Sequence, residues 1–266
     1  RTYSSRDTSM APADIGNTPS YWIRPTKVLS AAPGFHRFVW DVHFAPPAGT
    51  SSQPGQYPIS ATPGDTPREP RGPWALPGQF TVRLTAGGKT YTQPLTIKMD
   101  PRVKTPATVL AQMHAMSVRL FDAITRDSLI ADRARVVRTQ LRDAREHAGA
   151  SSAAMQSIDA FEQQLTSVVG QAGGGRGRGG GGGGRGGGAP GARPTFASIN
   201  GELLSLLALV EDSDAPLTTQ ATAAVASAER DFASLNARWT ALRTTGLADV
   251  NAKLKAAGQQ PIVIAP

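Results

Sequence analysis

Four histidines, His36, His43, His114 and His147, are the only imidazoles in 266 residues, and no cysteine accompanies them. Thiolate nucleophiles, disulfides and zinc–thiolate sites are therefore excluded. A site built from histidine and carboxylate needs ligands recurring on one face, as in H-E-x-x-H on a helix. Here His36 and His43 sit an odd number apart in an alternating stretch and face opposite sides. His114 and His147 fall near opposite ends of one helical stretch. All four read as surface or capping residues. Glycosidase chemistry asks for two carboxyls about 5–9.5 Å apart across a cleft. Glu211, Asp212 and Asp214 are neighbours, but in a polar turn between helices, where acids cap the next helix. Asp41 is expected to make a buried structural ion pair with an arginine, Arg37 or Arg83. No G-x-S-x-G elbow is present, and Ser198 and Ser205 fall inside a helical pattern. The glycines of residues 173–188 create G-x-G-x-x-G spacings by composition alone, without a preceding strand or a Walker lysine. No catalytic residue, cofactor or metal ligand is assigned, and the chain reads as non-enzymatic.

Residues suited to contact remain. Tyr21, Trp22, Tyr57 and Trp74 lie in or beside loops, with Arg24 and Arg71 nearby in sequence. They either plug the ends of a β domain or anchor a partner, since aromatic residues with adjacent arginines are frequent interface hot spots. A second set, Arg176, Arg178 and Arg185, lies in a glycine-rich segment, residues 170–194. With Arg193 and no acid, this segment carries half of the net charge of +8. Single-strand binders pair such arginines with stacking aromatics, and none occurs between Val169 and Phe196. The segment therefore reads as a flexible tether, its arginines able to meet an acidic partner surface. Nucleic-acid binding is the lesser reading.

These residues need elements to position them. Residues 1–20 are polar and aperiodic, an extended arm. Phe38, Trp40, Val42 and Phe44 alternate with Val39, Asp41 and His43 at the period of a half-buried strand. Residues 45–73 are a long loop rich in proline, glycine and serine. Phe80, Val82 and Leu84 then alternate against Thr81, Arg83 and Thr85. Ala86-Gly87-Gly88-Lys89 makes a hairpin turn, and Tyr91, Leu95, Ile97 and Met99 share a face of the return strand. Pro94 favours an edge or a bulge. These strands predict a small antiparallel Ig-like β-sandwich over residues 21–103.

Thr105-Pro106 opens a helix, as N-cap and first helical residue. Its stripe runs Leu110, Met113, Ser117, Leu120 and Ile124, blurs at Asp127, and resumes at Ala134, Val137 and Leu141. Its arginines 133, 135, 138, 142 and 145 form a mixed-charge exposed face with Asp132, Asp143 and Glu146. Met155, Ile158, Phe161, Leu165 and Val168 mark a second helix. Phe196, Ile199, Leu203, Leu206 and Val210 mark a third. Val225, Ala228, Phe232, Leu235, Trp239 and Leu242 mark a fourth. A short helix over residues 249–257 and the tail 261–266 are expected to dock outside them. The whole predicts α+β architecture in separate domains: the sandwich, then an up-and-down four-helix bundle over residues 104–266 interrupted by the Gly/Arg segment.

The stretches Phe35-His36-Arg37-Phe38-Val39-Trp40-Asp41, Leu76-Pro77-Gly78-Gln79-Phe80-Thr81-Val82-Arg83-Leu84, Gly88-Lys89-Thr90-Tyr91-Thr92-Gln93-Pro94-Leu95 and Asp100-Pro101-Arg102 carry a family resemblance. From about Tyr21 to its end the chain resembles the region that follows the β-propeller in secreted bacterial sortilin-like, BNR-repeat proteins. Such proteins are often labelled glycosyl-hydrolase-like or photosystem-stability-factor-like. The resemblance implies a sandwich followed by helices and a periplasmic or secreted location. The carboxylates of a BNR glycosidase belong to the propeller, of which no repeat is present, so no active-site residue carries over. The chain starts at Arg1 without a charged-then-apolar leader, which reads as a processed chain or a piece of a longer one. No apolar run approaches the ~20 residues that span a bilayer.

The expected function is thus a structural accessory subunit that stabilises a larger assembly by protein–protein contact. The periplasmic face of a membrane complex, such as a photosynthetic one, is a concrete case that the family label suggests. Carbohydrate binding through exposed Trp and Tyr is the alternative. No small-molecule substrate is expected.

Overall fold

A computed structural model describes residues 1–8, 19–24, 28–48, 59–63, 65, 71–148, 153–171 and 193–264. Among them the chain is mainly helical, with one two-stranded antiparallel sheet. It divides into two compact units. The first is residues 1–121 with 210–217, the second residues 122–209 with 218–266.

The first unit holds the hairpin. Strands β1 (Gly78–Ala86) and β2 (Lys89–Ile97) pair in unbroken register from Gly78↔Ile97 to Ala86↔Lys89. Gly87 and Gly88 take φ of 55° and 75°, the double left-handed conformation of a two-residue turn matched to strand twist. Pro94 pairs with Thr81 without a bulge. In a two-strand ribbon both strands are edges, so a missing N–H is tolerated.

The Ig-like sandwich is not formed. Among the described residues the hairpin is the only sheet, and isolated bridges, Ile23↔Ile59 and His43↔Trp74, replace the other expected pairings. The alternation of residues 38–44 fails as a strand because Val42 sits at φ 52°, a left-handed conformation unusual for a β-branched residue, which turns the chain. Among the described residues no second sheet covers the hairpin: Val82, Leu84 and Tyr91, on one face by register, are all exposed.

Helix α1 (Ala107–His147) is one uninterrupted element of 41 residues. Pro106 supplies the carbonyl for its first turn, accepting from Val109 and Leu110. Met113, Ser117, Leu120, Ile124, Asp127, Ile130, Ala134, Val137 and Leu141 are all buried along it, at steps of three and four. The apparent blur in the pattern is therefore a polar residue on the core stripe rather than a break. Helices α2 (Ala153–Val169), α3 (Phe196–Glu211) and α4 (Thr219–Ala241) bury the stripes read from sequence, except that Met155 is only half-buried.

Local chemistry sets the ends of these helices. Thr195 and Ser198 cap α3 reciprocally: each side-chain oxygen accepts the other's backbone N–H, at 3.2 and 2.9 Å. Thr218 Oγ1 accepts from Ala221 to start α4. Helix α4 passes through a π-helical turn (Leu242–Gly246) directly into α5 (Leu247–Ala256).

In the second unit α2 packs along α5 and against α4. At Gly246 a Cβ would come within 3.3 Å of the Phe161 ring, so a glycine lets α2 approach there. Asn251 holds Ile262 through both its amide atoms, and Gln140 holds Val263 in the same way. The segment after α5 is thereby pinned, with Ile262 buried.

Candidate functional site

The first unit is organised around His43. Trp40 Nε1 donates to the His43 carbonyl at 2.9 Å, and the backbone bonds Phe44 N–Pro73 O and Ala75 N–Val42 O zip this segment to residues 73–75. The His43 ring is buried. Its Nδ1 lies 2.8 Å from the Gly72 carbonyl and its Nε2 3.2 Å from an Arg71 guanidinium nitrogen. Arginine only donates, so Nε2 accepts and Nδ1 carries the proton given to Gly72. Burial lowers the His43 pKa, and the Arg71 charge works the same way, against the opposing effect of the Gly72 bond. The ring is accordingly neutral at pH 7, with both nitrogens engaged, and serves as a spacer between two chain segments.

Trp74 stacks on this imidazole with centroids 3.7 Å apart, and Arg71 lies 6.0 Å from the indole centroid. The other end of Trp74 is held by Glu211 at the end of α3. The Trp74 N–H donates to Glu211 Oε2 at 2.8 Å, and its indole N–H donates to the Glu211 carbonyl at 3.2 Å. Three contacts thus fix the side chain and one the backbone, while the residue remains 41% exposed. Gly72 makes the crossing possible: a Cβ there would lie 2.3 Å from the Ala45 carbonyl oxygen.

Three more of the candidate contact residues, Tyr21, Trp22 and Arg24, lie close together. Tyr21 and Trp22, in a 3-10 turn (Ser20–Trp22), meet edge to face at 6.2 Å. Arg24 lies against them, donating to the Tyr21 carbonyl and pairing with Asp65 at 3.1 Å. Ser60 N donates to the Trp22 carbonyl, tying that residue to the turn. Tyr21 is 73% exposed. Tyr57, Arg176, Arg178 and Arg185 lie outside the described residues, as does most of the Gly/Arg segment.

Other expectations are corrected. Asp41 pairs with Arg1 at 2.9 Å rather than with Arg37 or Arg83. The start of the chain is accordingly docked, with Tyr3 edge-on to Phe38 at 4.6 Å. Glu211 holds Trp74 instead of capping α4, a task that Thr218 performs. The arginine face of α1 is not simply solvated. Arg145 pairs with Asp159 and Glu162 of α2, and Arg138 donates to the Gly170 carbonyl. Arg238 of α4 bonds the carbonyls of Ser167 and Pro194 at 2.8 and 3.3 Å. Two cations thus sit where the carbonyls of the α2 C-terminus need donors.

Two functional candidates escaped the sequence. His43 was indistinguishable from a surface histidine, because its partners come from residues 71–74. Asp127 is 3% exposed. Asn200 donates to its Oδ2, while its Oδ1 has no partner among the described residues. Burial pushes its pKa up to about 7, against a smaller lowering by the Asn200 bond. Its position three residues after Ile124 on the apolar stripe was the available signal. Among the described residues no cluster of three or more His, Asp or Glu could hold a metal ion, and no helix is long and apolar enough to cross a membrane.

Comparison with family models, with curated proteins and with solved structures gave no match.

Proposed function

We propose that this chain acts by contact, as an accessory subunit whose first unit presents rigidly held aromatic side chains to a protein partner. The observation that carries this reading is Trp74: three contacts immobilise its side chain, yet much of its surface stays in water. Ordering a free aromatic on association costs conformational entropy, and pre-fixing it removes that cost. Tyr21 and Trp22, with Arg24 beside them, supply a second exposed aromatic–arginine set. His43 has neither ring nitrogen free for proton transfer. The family resemblance adds the expectation of an extracytoplasmic assembly, which remains part of the proposal.

The test is site-specific photo-crosslinking from positions 21, 22 and 74 in the native source. One partner should be labelled from all three positions, and a Trp22→Ala, Trp74→Ala double variant should abolish its copurification. Recovery of the chain as an uncrosslinked monomer, with the double variant behaving identically, rules the reading out.

A further inference from the structure

The first unit also contains a cavity of about 240 Å³, lined wholly by its own residues. Its walls are apolar, made by Leu76, Pro77, Met99, Leu110 and Met113 with the Trp74 ring. Two polar side chains of α1 break this lining. Ser117 is fully buried and its hydroxyl has no hydrogen-bond partner among the described residues; one turn earlier, the buried His114 Nδ1 has none among them either. An unpaired buried hydroxyl is unfavourable, and native proteins seldom retain one without water or a ligand to satisfy it. Glu211 and Asp214 stand against Lys98 among the remaining lining residues, a negative balance that opposes an anion. For scale, an apolar cavity of about 150 Å³ accommodates benzene.

We propose that this cavity is a binding site for a small one-ring amphiphile, neutral or cationic, whose hydroxyl or amine meets Ser117 and His114. The ring occupies the Met99–Met113 wall and the polar tip lies against α1. The site shares the Trp74 ring with the contact surface proposed above, but its test reads ligand binding to the chain alone and needs no partner.

Methyl NMR of the methionines tests it, because Met99 and Met113 line the cavity while Met155 lies in the second unit. Titration of the full chain with 2-phenylethanol or phenethylamine should move the Met99 and Met113 signals saturably and leave Met155 in place. Ethylbenzene, lacking the polar tip, should bind about tenfold more weakly. Phenylacetate should bind more weakly than phenethylamine. Ser117→Ala should bring 2-phenylethanol down to the ethylbenzene level without changing ethylbenzene itself. Unmoved Met99 and Met113 signals would mean a merely hydrated cavity and overturn the proposal. Equal affinities for the alcohol and the hydrocarbon, or phenylacetate binding as tightly as phenethylamine, would do the same. The probe comparison in the unsubstituted protein decides the matter even if the Ser117 variant does not fold.

Discussion

Along α4 and the turn after it, Val225, Ala228, Phe232, Leu235, Trp239 and Leu242 are all buried. In the hairpin unit, Phe35, Val39, Leu84 and Tyr91 stand in water, Phe35 at 96%. The two units reach order by different means. A helix satisfies its backbone within itself and needs only one stripe covered, so each stripe reports its own burial. Apart from the start of α1, the described residues of the first unit form a two-strand ribbon and irregular chain, whose polar groups must find distant partners. It finds them through side chains: the Trp40 indole on the His43 carbonyl, the His43 ring on Gly72, and Glu211 on Trp74. Such an arrangement spends few apolar residues on a core and leaves many exposed, which suits a surface that meets something else.

The sharpest way to break this contrast is Gly72→Ala. The added methyl collides with the Ala45 and Phe44 carbonyls, which cannot yield without undoing the His43–Trp74 bridge. A loss of about 3 kcal/mol is expected, confined to the first unit. Trp22, Trp40 and Trp74 are in that unit and only Trp239 in the other. Tryptophan emission should therefore shift strongly while the far-ultraviolet helix signal persists. A single transition lost by both probes together would show the units to be energetically one.

Asp127 offers a test inside the helical unit. Its folded pKa, about 7, lies above the ordinary 3.8. Between those values the unfolded chain has released its proton and the folded chain has not. Stability therefore falls as pH rises through that window, by about 1.4 kcal/mol per unit at most, and levels off above pH 7. Asp127→Asn abolishes this term. The stability difference between variant and parent should grow from pH 4 to 7, reaching on the order of 2–4 kcal/mol. Urea melts across that range measure it, and parallel curves would contradict the burial assigned to this carboxyl.

A smaller effect is expected at the Gly/Arg segment. Its flanks meet: a Cβ on Gly170, which has φ 94°, would lie 2.8 Å from the Ala197 Cβ. A few residues suffice to join such ends, and closure entropy varies slowly with length. Replacing residues 173–190 by a short turn should therefore raise stability by only about 1 kcal/mol. A large loss on thermal melting would show that the segment contributes contacts to the fold.

The smallest effect belongs to the open hairpin face. Leu84→Thr should change stability by less than about 0.5 kcal/mol, because the side chain is 57% exposed in the folded unit already. A cost near that of a core truncation would reveal a covering partner in solution.

These tests also separate what was legible from what was not. Helix stripes, the hairpin and its glycine turn could be read because each depends on neighbours within a few residues. The clustering of Tyr21, Trp22 and Arg24 followed from proximity in the chain. The sandwich was misread because alternation at residues 38–44 signals a strand only if the backbone stays extended, and Val42 does not. The role of Glu211 was misread because the residue it holds lies 137 positions away.

The sequence alone determined the helices, the hairpin and the exclusion of cysteine chemistry, since propensity, periodicity and composition are local properties. Tertiary structure decided which polar residues matter. His43, Gly72, Trp74 and Glu211 form one frame only because distant segments cross. Asp127 acquires its raised pKa only because the helices around it exclude water. Burial and long-range hydrogen bonding are properties of the assembled chain, and the chemistry of this protein's candidate sites rests on both.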